Sequence, residues 1–391
     1  MRFHFSLVVF ILFLAYFPAC VWQLQRCNKA PRTGLTVLVW AIPTLFLIGF
    51  GCIGFRWVNV EHIFMIWFVW LFFTLFIPGN IMALFTAVDK LVEHWRKKTF
   101  IVCRCIGYPL AVLLFVGLIW GAVDRKQVSV HRVDIVSEAL PQAFNNLKIV
   151  QISDVHLGNL DNAELFLEQI KDKINAEKPD LIMLTGDLVN FTSDEGIGLE
   201  DNFVAMEAAV GKFAVLGNHD YGDYLQWPTV EAKMENLEKT KALYCRCGFD
   251  LLLDEHRIIS KNSARIGIVG VENCGKAPFP CYGNLPTAVE NLPTNFNILL
   301  SHDPTHWRSE ILHYPQLTLT LAGHTHAAQI GVDVGKWRFS PSQWVYDEWD
   351  GLYREHDQFL FVNRGLGYVG IPFRLGMPPE ITVITLKTFA E

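Results

Sequence analysis

Charged residues are almost absent from much of the first third of this 391-residue chain. Residues 1–126 hold only 4 Asp and Glu against 12 Lys and Arg, and four long stretches there hold no charged residue at all. The chain also lacks an internal repeat and any low-complexity tract. Together these absences exclude a disordered chain, a fibrous repeat and a purely soluble enzyme.

The four uncharged stretches have lengths typical of membrane helices. They cover residues 3–25, 33–55, 62–88 and 105–123, and a helix needs roughly 20 apolar residues to cross the hydrocarbon core of a bilayer. A core helix of a globular domain would show a polar face, and none of the four does. We therefore predict an all-α membrane region over 1–123 with four transmembrane helices. For the first stretch a cleaved signal peptide is the alternative, because Arg2 precedes an apolar run that ends in Ala19-Cys20.

Positive charge is unevenly distributed between the loops that separate these stretches. Loops 26–32 and 89–104 together hold eight Lys and Arg, whereas the segments on the opposite side hold five. Because Lys and Arg mark the cytoplasmic side, we expect the N-terminus and everything after residue 123 to be extracytoplasmic. A multi-pass protein of the cell membrane with an extracytoplasmic C-terminal domain follows, and a cleaved first stretch would favour the reverse orientation.

The rest of the chain is acidic, with 21 Lys and Arg against 35 Asp and Glu over residues 127–391. An acidic domain repels phosphate backbones, so we expect no nucleic-acid partner. Four cysteines lie here, and their spacing does not match a zinc knuckle. An even number of cysteines permits disulfides in an oxidising compartment, with three possible pairings, and free thiols are the alternative. These cysteines are Cys245, Cys247, Cys274 and Cys281.

After residue 126 the pattern changes to short apolar runs that alternate with amphipathic stretches. The runs predict strands at 147–152, 181–184, 213–216, 258–259, 265–269, 297–300, 317–321, 359–362 and 381–386. Helices are expected at 162–176, 228–242 and 304–312. We therefore predict a linker over 124–146 and an α/β domain with packed sheets over 147–391.

Five of the predicted strands run directly into residues that bind metals. Because ligands of α/β proteins bind beyond the carboxyl ends of strands, five such ends can converge on one site. In chain order the residues are Asp154 and His156, Asp187, Asn218 with His219, His302, and His324 with His326.

Carboxylate oxygens, imidazole nitrogens and an amide oxygen are ligands for divalent ions such as Mn, Fe or Zn. Two ions need one shared carboxylate, and they lower the pKa of a bridging water so that it can attack phosphorus as hydroxide. The expected arrangement places Asp187 as the bridge between two sets of ligands. The first set is Asp154, His156 and His326, and the second is Asn218, His302 and His324.

The five motifs, taken in order, resemble the calcineurin-like metallophosphoesterase family. They are Asp154-Val155-His156, Gly186-Asp187, Gly217-Asn218-His219-Asp220, Ser301-His302 and Gly323-His324-Thr325-His326. The resemblance implies a four-layer α/β/β/α sandwich and two divalent ions, and it gives His219 the role of protonating the leaving group or stabilising the transition state. Arg364-Gly365-Leu366-Gly367 further resembles the membrane-anchored bacterial branch. That branch commonly has Gly-Gly-Gln after the last motif, where this chain has Ala327-Ala328-Gln329.

The roles of several further residues have two possible interpretations. Asp220, and with less reason Glu272 and Asp303, are either partners that orient imidazoles or ordinary turn residues. Arg364 either contacts a substrate phosphate or forms a structural ion pair. A late aromatic cluster is either core or membrane-proximal packing, or an apolar wall for a lipid tail. Its members are Trp337, Trp344, Tyr346, Trp349 and Tyr353.

The leading interpretation is a membrane-anchored phosphoesterase that hydrolyses a phosphodiester, pyrophosphate or phosphomonoester, including a lipid-linked one. A transporter or receptor with an accessory metal-binding domain is the alternative, but the uncharged stretches lack the intramembrane charged pairs that mark a transport pathway. A metal-binding scaffold without catalysis is disfavoured because the ligand set is intact and His219 accompanies it.

Overall fold

The computed structural model describes residues 41–50, 62–335 and 337–389, and the chain divides into two compact units between Ala122 and Val123. The predicted stretch 3–25 and most of 33–55 lie outside the described residues. Within the second stretch, Ala41–Phe50 forms helix α1. Helices α2, His62–Arg96, and α3, Val102–Asp124, follow. Within the described part of the chain, two spans, Ile63–Arg96 and Val102–Asp124, are long and apolar enough to cross a membrane.

Helix α2 extends beyond the predicted stretch 62–88, and a carboxylate in its added turns caps the next helix. Asp89 is buried, and its two oxygens accept hydrogen bonds of 2.9 Å from the backbone N–H groups of Cys103 and Arg104. Arg104 Nε donates a further bond of 2.9 Å to Asp89. The free N–H groups of a helix start favour a negative partner of this kind, so the short connection between α2 and α3 is held by charge.

The second unit contains two six-stranded sheets. The first sheet is built from β1 (Ser129–Val136), β2 (Leu147–Ile152), β3 (Leu181–Thr185), β4 (Gly211–Val215), β5 (Asp250–Leu251) and β14 (Glu380–Lys387). The second consists of β6 (Glu255–Lys261), β7 (Ala264–Gly270), β8 (Asn297–Leu300), β9 (Leu317–Ala322), β12 (Gly351–Glu355) and β13 (Gln358–Val362). A separate two-stranded ribbon is formed by β10 (Val332–Val334) and β11 (Trp337–Phe339).

The strand order is β1-β14-β2-β3-β4-β5 in the first sheet and β12-β13-β9-β8-β7-β6 in the second. Strands β2 to β5 are parallel to one another, and so are β7, β8, β9 and β13. Antiparallel pairs occur between β14 and β2, β6 and β7, and β12 and β13. The parallel centres bring the carboxyl ends of β2, β3 and β4 to one edge, and those of β8 and β9 to the matching edge of the second sheet.

Apolar side chains fill three layers of core around the two sheets. Between the sheets, Met183 of the first belongs to the same buried cluster as Ile298 and Leu319 of the second. Helices α4 (Ala163–Glu177) and α6 (Val230–Arg246) contribute to the core on the other side of the first sheet, and α5 (Glu200–Val204) lies between them in the chain. Trp307, on α8 (Thr305–Ser309), and α7 (Leu285–Ala288) cover the second sheet. This confirms the expected four-layer α/β/β/α sandwich.

The linker predicted over 124–146 is instead part of the domain. Strand β1 pairs in parallel with β14 along eight residues, from Ser129 opposite Glu380 to Val136 opposite Lys387. Only Ile135 of β1 is fully buried, because the strand lies at the sheet edge. An edge strand with so few buried positions lacks the continuous apolar run that reveals a central strand.

The strands and helices predicted after residue 126 all form, with boundaries that differ by a few residues. The structure adds β1, β5 and β10 to β12, which the apolar pattern did not indicate. Strand β5 has two residues, and the six residues of β10 and β11 are all exposed. Short or exposed strands of this kind carry too little burial to leave an apolar run in the sequence.

Candidate metal centre

Hydrogen bonds from backbone and side-chain groups join the loops that follow β2, β3, β4, β8 and β9. Asp154 N donates to Gly186 O at 3.0 Å, and His156 N donates to Asp187 O at 3.1 Å. The loop after β4 is joined by His219 N, which donates to Asp187 Oδ1 at 2.8 Å. Within the second sheet, Gly323 N donates to His302 O at 2.9 Å, and His302 Nδ1 donates across to Thr185 O of the first sheet at 2.7 Å. The loops at the five strand ends therefore form one connected surface, and all seven residues predicted as metal ligands lie on it.

The first predicted set, Asp154, His156 and His326, is brought together in a buried cluster. His326 Nε2 lies 3.2 Å from Asp154 Oδ1 and 3.1 Å from His156 Nε2. His156 Nε2 lies 3.9 Å from Asp154 Oδ1. Two ring nitrogens and one carboxylate oxygen thus point at a common position, as ligands of one divalent ion do.

The second predicted set converges in the same way. His302 Nε2 lies 3.0 Å from Asn218 Oδ1 and 3.3 Å from His324 Nδ1. Asp187 Oδ2 lies 3.3 Å from His302 Nε2 and 3.6 Å from His156 Nε2, so it sits between the two sets. A carboxylate in this place fits the shared ligand of a two-metal site.

Five of the seven candidate ligands have a backbone conformation that is rare for residues other than glycine. Their φ angles are 52° for Asp154, 48° for His156, 57° for Asp187, 69° for His324 and 50° for His326. Each left-handed residue costs on the order of 1–3 kcal/mol, and such strain concentrates at functional sites. The fold keeps these conformations because they turn side chains of successive loops toward one point.

Two glycines allow the loops to approach the candidate ligands closely. A Cβ at Gly217 would lie 2.2 Å from Asp187 Oδ1, and one at Gly323 would lie 2.2 Å from Asp154 Oδ2. Both distances are far below van der Waals contact. The glycines of these motifs are therefore required by the packing of the carboxylates themselves.

Hydrogen bonds orient the imidazole rings. His302 Nδ1–H donates to Thr185 O at 2.7 Å, which leaves the Nε2 lone pair directed at the second cluster. His324 Nε2 lies 3.0 Å from the Tyr346 hydroxyl and 3.5 Å from Asp303 Oδ2, while its Nδ1 faces the cluster. A partner on the far nitrogen fixes the tautomer of a metal-binding histidine.

The electrostatics of the cluster suit cations. Burial lowers the pKa of His156 well below its ordinary value, helped by the neighbouring His219, so His156 is a neutral donor. Burial alone would also lower the pKa of His302, but the negative charge of Asp187 raises it to about 10. The same carboxylate field that holds a proton on His302 attracts a divalent ion in its place, so the residues present fit the metal pair.

Asp220 and Arg364 have structural partners. Burial and the negative charge of Asp187 raise the pKa of Asp220 to about 7, and its carboxylate accepts backbone N–H bonds from Asp187 and Gly217 rather than orienting an imidazole. Arg364 is buried in an ion-pair network, which corresponds to the structural reading of this residue. Its partners are Asp350, Asp333 and Glu380.

Glu272 and Asp303 differ in their relation to the cluster. Glu272 accepts a hydrogen bond of 3.1 Å from the Tyr221 hydroxyl, whereas Asp303 approaches His324 as described above. Cys274 and Cys281 form a disulfide, and Cys245 and Cys247 are free thiols. The disulfide closes a loop that carries Phe279, whose ring meets the His324 ring edge-on at a centroid distance of 4.6 Å.

Two residues of the site carry no motif in the sequence. The Tyr224 hydroxyl accepts a bond of 2.6 Å from Asn218 Nδ2, and its ring stacks on His219 at a centroid distance of 4.3 Å. Arg374 is fully buried, and its Nη2 lies 3.1 Å from His326 Nδ1. The only signal for Tyr224 is its place five residues after His219. Arg374 is 48 residues from His326, and no local pattern connects them.

Comparisons with known proteins agree with this geometry. A family model described as "Calcineurin-like phosphoesterase" matches residues 147–328. The "Uncharacterized metallophosphoesterase YkuE" of Bacillus subtilis is 32% identical over 258 residues, which cover 65% of this chain and 84% of that protein. A "Transmembrane protein with metallophosphoesterase domain" of Danio rerio is 27% identical over 362 residues, covering 88% of this chain and 74% of that one.

A further relative, the "UDP-2,3-diacylglucosamine pyrophosphatase LpxG" of Chlamydia muridarum, is 25% identical over 320 residues, which cover 68% of this chain and 92% of that protein. The family match spans the strand ends that carry the candidate ligands, and the Bacillus protein is matched over most of its length. The chain therefore belongs to the calcineurin-like metallophosphoesterase family.

Proposed function

We propose that this metal-dependent phosphoric ester hydrolase uses two divalent ions, drawn from Mn, Fe or Zn, to hydrolyse a phosphodiester, pyrophosphate or phosphomonoester bond. The observation that carries the proposal is the convergence of seven oxygen and nitrogen donors into two clusters that share Asp187. When bound, such ions supply the Lewis acidity that activates water and neutralises phosphoryl oxygens. Asp154, His156 and His326 would hold one ion, and Asn218, His302 and His324 the other.

His219 is the proposed catalytic acid. It is half-buried, whereas most of the candidate ligands are fully buried, so it faces the open side of the cluster. His219 Nδ1–H donates to Asn190 O at 2.8 Å, and its backbone N–H donates to Asp187 Oδ1 at 2.8 Å. With Nδ1 occupied, the proposal assigns Nε2 to carry a proton to the departing oxygen of the substrate.

The membrane helices are proposed to anchor the enzyme, and the substrate is proposed to be lipid-linked. Two membrane-length helices precede the domain, and the Danio rerio relative is named a transmembrane protein. LpxG is named for a pyrophosphate that carries two acyl chains. The multi-pass arrangement and the extracytoplasmic placement stay predictions. A reporter enzyme that works only outside the cytoplasm, fused to the C-terminus, tests them, and a silent fusion reverses the orientation.

The purified full chain, supplied with Mn²⁺, tests the catalytic proposal on a chromogenic aryl phosphodiester. Asp187→Asn should lose both bound metal and activity. His219→Ala should keep its metal content, measured by elemental analysis, and lose about 10²–10⁴-fold in rate. The control is Asp134→Asn, whose carboxylate pairs with Lys387 on the edge of the first sheet. Full activity in either of the first two variants would overturn the proposal.

A further inference from the structure

The β10–β11 ribbon and the turn after it expose large apolar side chains. Trp337 is 81% exposed, Trp344 is 74% exposed and Val334 is 69% exposed. We call the set the apolar ribbon face. Its members are Val332, Val334, Trp337, Phe339, Trp344 and Val345, and all six are exposed. Soluble proteins rarely leave so many large apolar side chains together in water, and such patches mark contact surfaces.

The strand register separates the ribbon into an apolar and a charged side. Val332 lies opposite Phe339, and Val334 lies opposite Trp337. The remaining pair is Asp333 opposite Arg338. Because side chains alternate along a strand, the two apolar pairs share one side of the ribbon and the charged pair occupies the other.

The charged side is the one bonded to the domain. Asp333 forms an ion pair with Arg364, and Arg338 forms one with Asp350. Both of these partners are buried. A two-stranded ribbon in water normally turns its apolar side to the core and its charged side outward. Here the arrangement is reversed, because the ribbon's charged residues form ion pairs with two buried residues of the domain. These ion pairs fix the apolar side outward.

The composition of the segment fits a lipid surface. Lys336 lies between the two strands in the chain, and the acidic residue of the ribbon, Asp333, is on the charged side together with Arg338. Exposed tryptophans favour the interfacial layer of a bilayer, and basic residues favour anionic headgroups. We propose that the apolar ribbon face lies in the interfacial layer of a phospholipid membrane. The proposal rests on the membrane anchoring proposed above, since the helices keep the domain on a bilayer.

The position of the face connects it to the candidate metal centre. Ser340, at the end of the ribbon, donates its hydroxyl to Ala327 O at 2.6 Å, directly after His326. The turn then leads to Tyr346, whose hydroxyl contacts His324. A membrane that holds the apolar ribbon face therefore lies beside the opening of the cluster, where the phosphate of a lipid headgroup can reach it without the lipid leaving the bilayer.

Fluorescence quenching in proteoliposomes tests the lipid contact without relying on catalysis. The full chain with Val334→Cys carries an NBD label and is reconstituted in phosphatidylcholine and phosphatidylglycerol that include nitroxide-labelled acyl chains. Ile197→Cys is the matched control, because Ile197 is also 69% exposed but lies outside the ribbon. Leu84→Cys, at a position 62% exposed on α2, reports whether the helices are inserted. The unsubstituted chain, labelled identically, gives the background from native cysteines.

We expect nitroxide lipids to quench the label at 334 several-fold more than the label at 197. Equal, weak quenching at 334 and 197, with strong quenching at 84, overturns the lipid contact and assigns the face to a protein partner. Weak quenching at all three positions overturns the anchoring and the lipid contact with it. The same measurement in the Asp187→Asn background should be unchanged, so its outcome is independent of whether hydrolysis is observed.

Discussion

Asp220 is the acceptor that ties the loop after β3 to the loop after β4. Its Oδ2 accepts bonds from Asp187 N at 2.9 Å, Gly217 N at 2.8 Å and the Tyr244 hydroxyl at 2.7 Å. Its Oδ1 accepts one from Val189 N at 3.2 Å. We predict that Asp220→Asn loosens these loops, although the new side chain has nearly the same volume. The amide oxygen can replace Oδ2, but the NH₂ group then faces the Val189 N–H, and two donors cannot bond.

The magnitude follows from that count of hydrogen bonds. Bonds to a charged acceptor contribute about 1.5–3 kcal/mol, and neutral ones contribute about 1 kcal/mol. At about pH 8, where Asp220 is ionised because its pKa is about 7, Asp220→Asn loses the bond to Val189 and weakens the bonds to Asp187, Gly217 and Tyr244. The free energy of local opening should therefore fall by about 2 kcal/mol or more. That change corresponds to at least roughly 30-fold faster exchange of the affected amide hydrogens.

Hydrogen exchange measured by mass spectrometry on the full chain is the direct assay, read in peptides that contain Asp187, Val189 and Gly217. Asp134→Asn is the control, because that carboxylate contacts Lys387 at the surface and should leave these peptides unchanged. The Mn²⁺ concentration for half-maximal activity should also rise in Asp220→Asn. Unchanged exchange at the three amides would refute the reasoning, whatever happens to the activity.

Three further changes test other parts of the site. Tyr224→Phe keeps the ring stacked on His219 but removes the hydroxyl that accepts from Asn218, so the Mn²⁺ concentration for half-maximal activity should rise several-fold with kcat retained. Tyr224→Leu also removes the stacked ring and should lower kcat as well. Identical kinetics for the two variants would exclude the stacked ring from the mechanism. Ala328→Gly should raise the free energy of unfolding by up to about 1 kcal/mol, because Ala328 is exposed and has a left-handed φ of 51°. The control, Ala139→Gly, is at an exposed position outside the left-handed region and should lower that free energy. Thermal denaturation measures both changes, and a loss of stability in Ala328→Gly with a gain in Ala139→Gly would contradict the strain argument. Mn²⁺ at about 100 times its Kd should raise the free energy of unfolding by about 2.7 kcal/mol in thermal denaturation, and EDTA should reverse this gain. An equal gain in Asp187→Asn would mean that the ion binds outside the candidate metal centre.

Much of the fold could be predicted because the central strands are buried on both faces. All five residues of β3 are buried, and such strands leave continuous apolar runs in the sequence. The grouping of the candidate ligands could be predicted for a related reason, since every one of them follows a parallel strand whose carboxyl end must lie at a shared edge.

The remaining features depend on contacts that have no local pattern. Strand β1 is stabilised by pairing with β14, not by its own burial, so its sequence alone predicts a linker. Ala327 and Ala328 stand where the branch that this sequence resembles commonly has glycines, and by themselves their added methyl groups would only narrow the space for the backbone. The structure instead places both in left-handed conformations, with φ of 47° and 51°. Alanine at these two positions therefore differs from glycine in two ways: its methyl group occupies space, and its left-handed backbone conformation is strained.

The place of β14 has a consequence for biosynthesis. This strand lies between β1 and β2, and Ser129 donates its hydroxyl to Pro379 O, 250 residues further along the chain. Until the ribosome has made residues 380–387, β1 has no partner in the sheet and β2 has an open edge, although the preceding apolar helices are already available for insertion. Contacts of such long range form slowly, and open strand edges invite aggregation. The nascent domain therefore stays partly folded until β14 is made, and a chaperone that covers the open strand edges would have its largest effect at this stage.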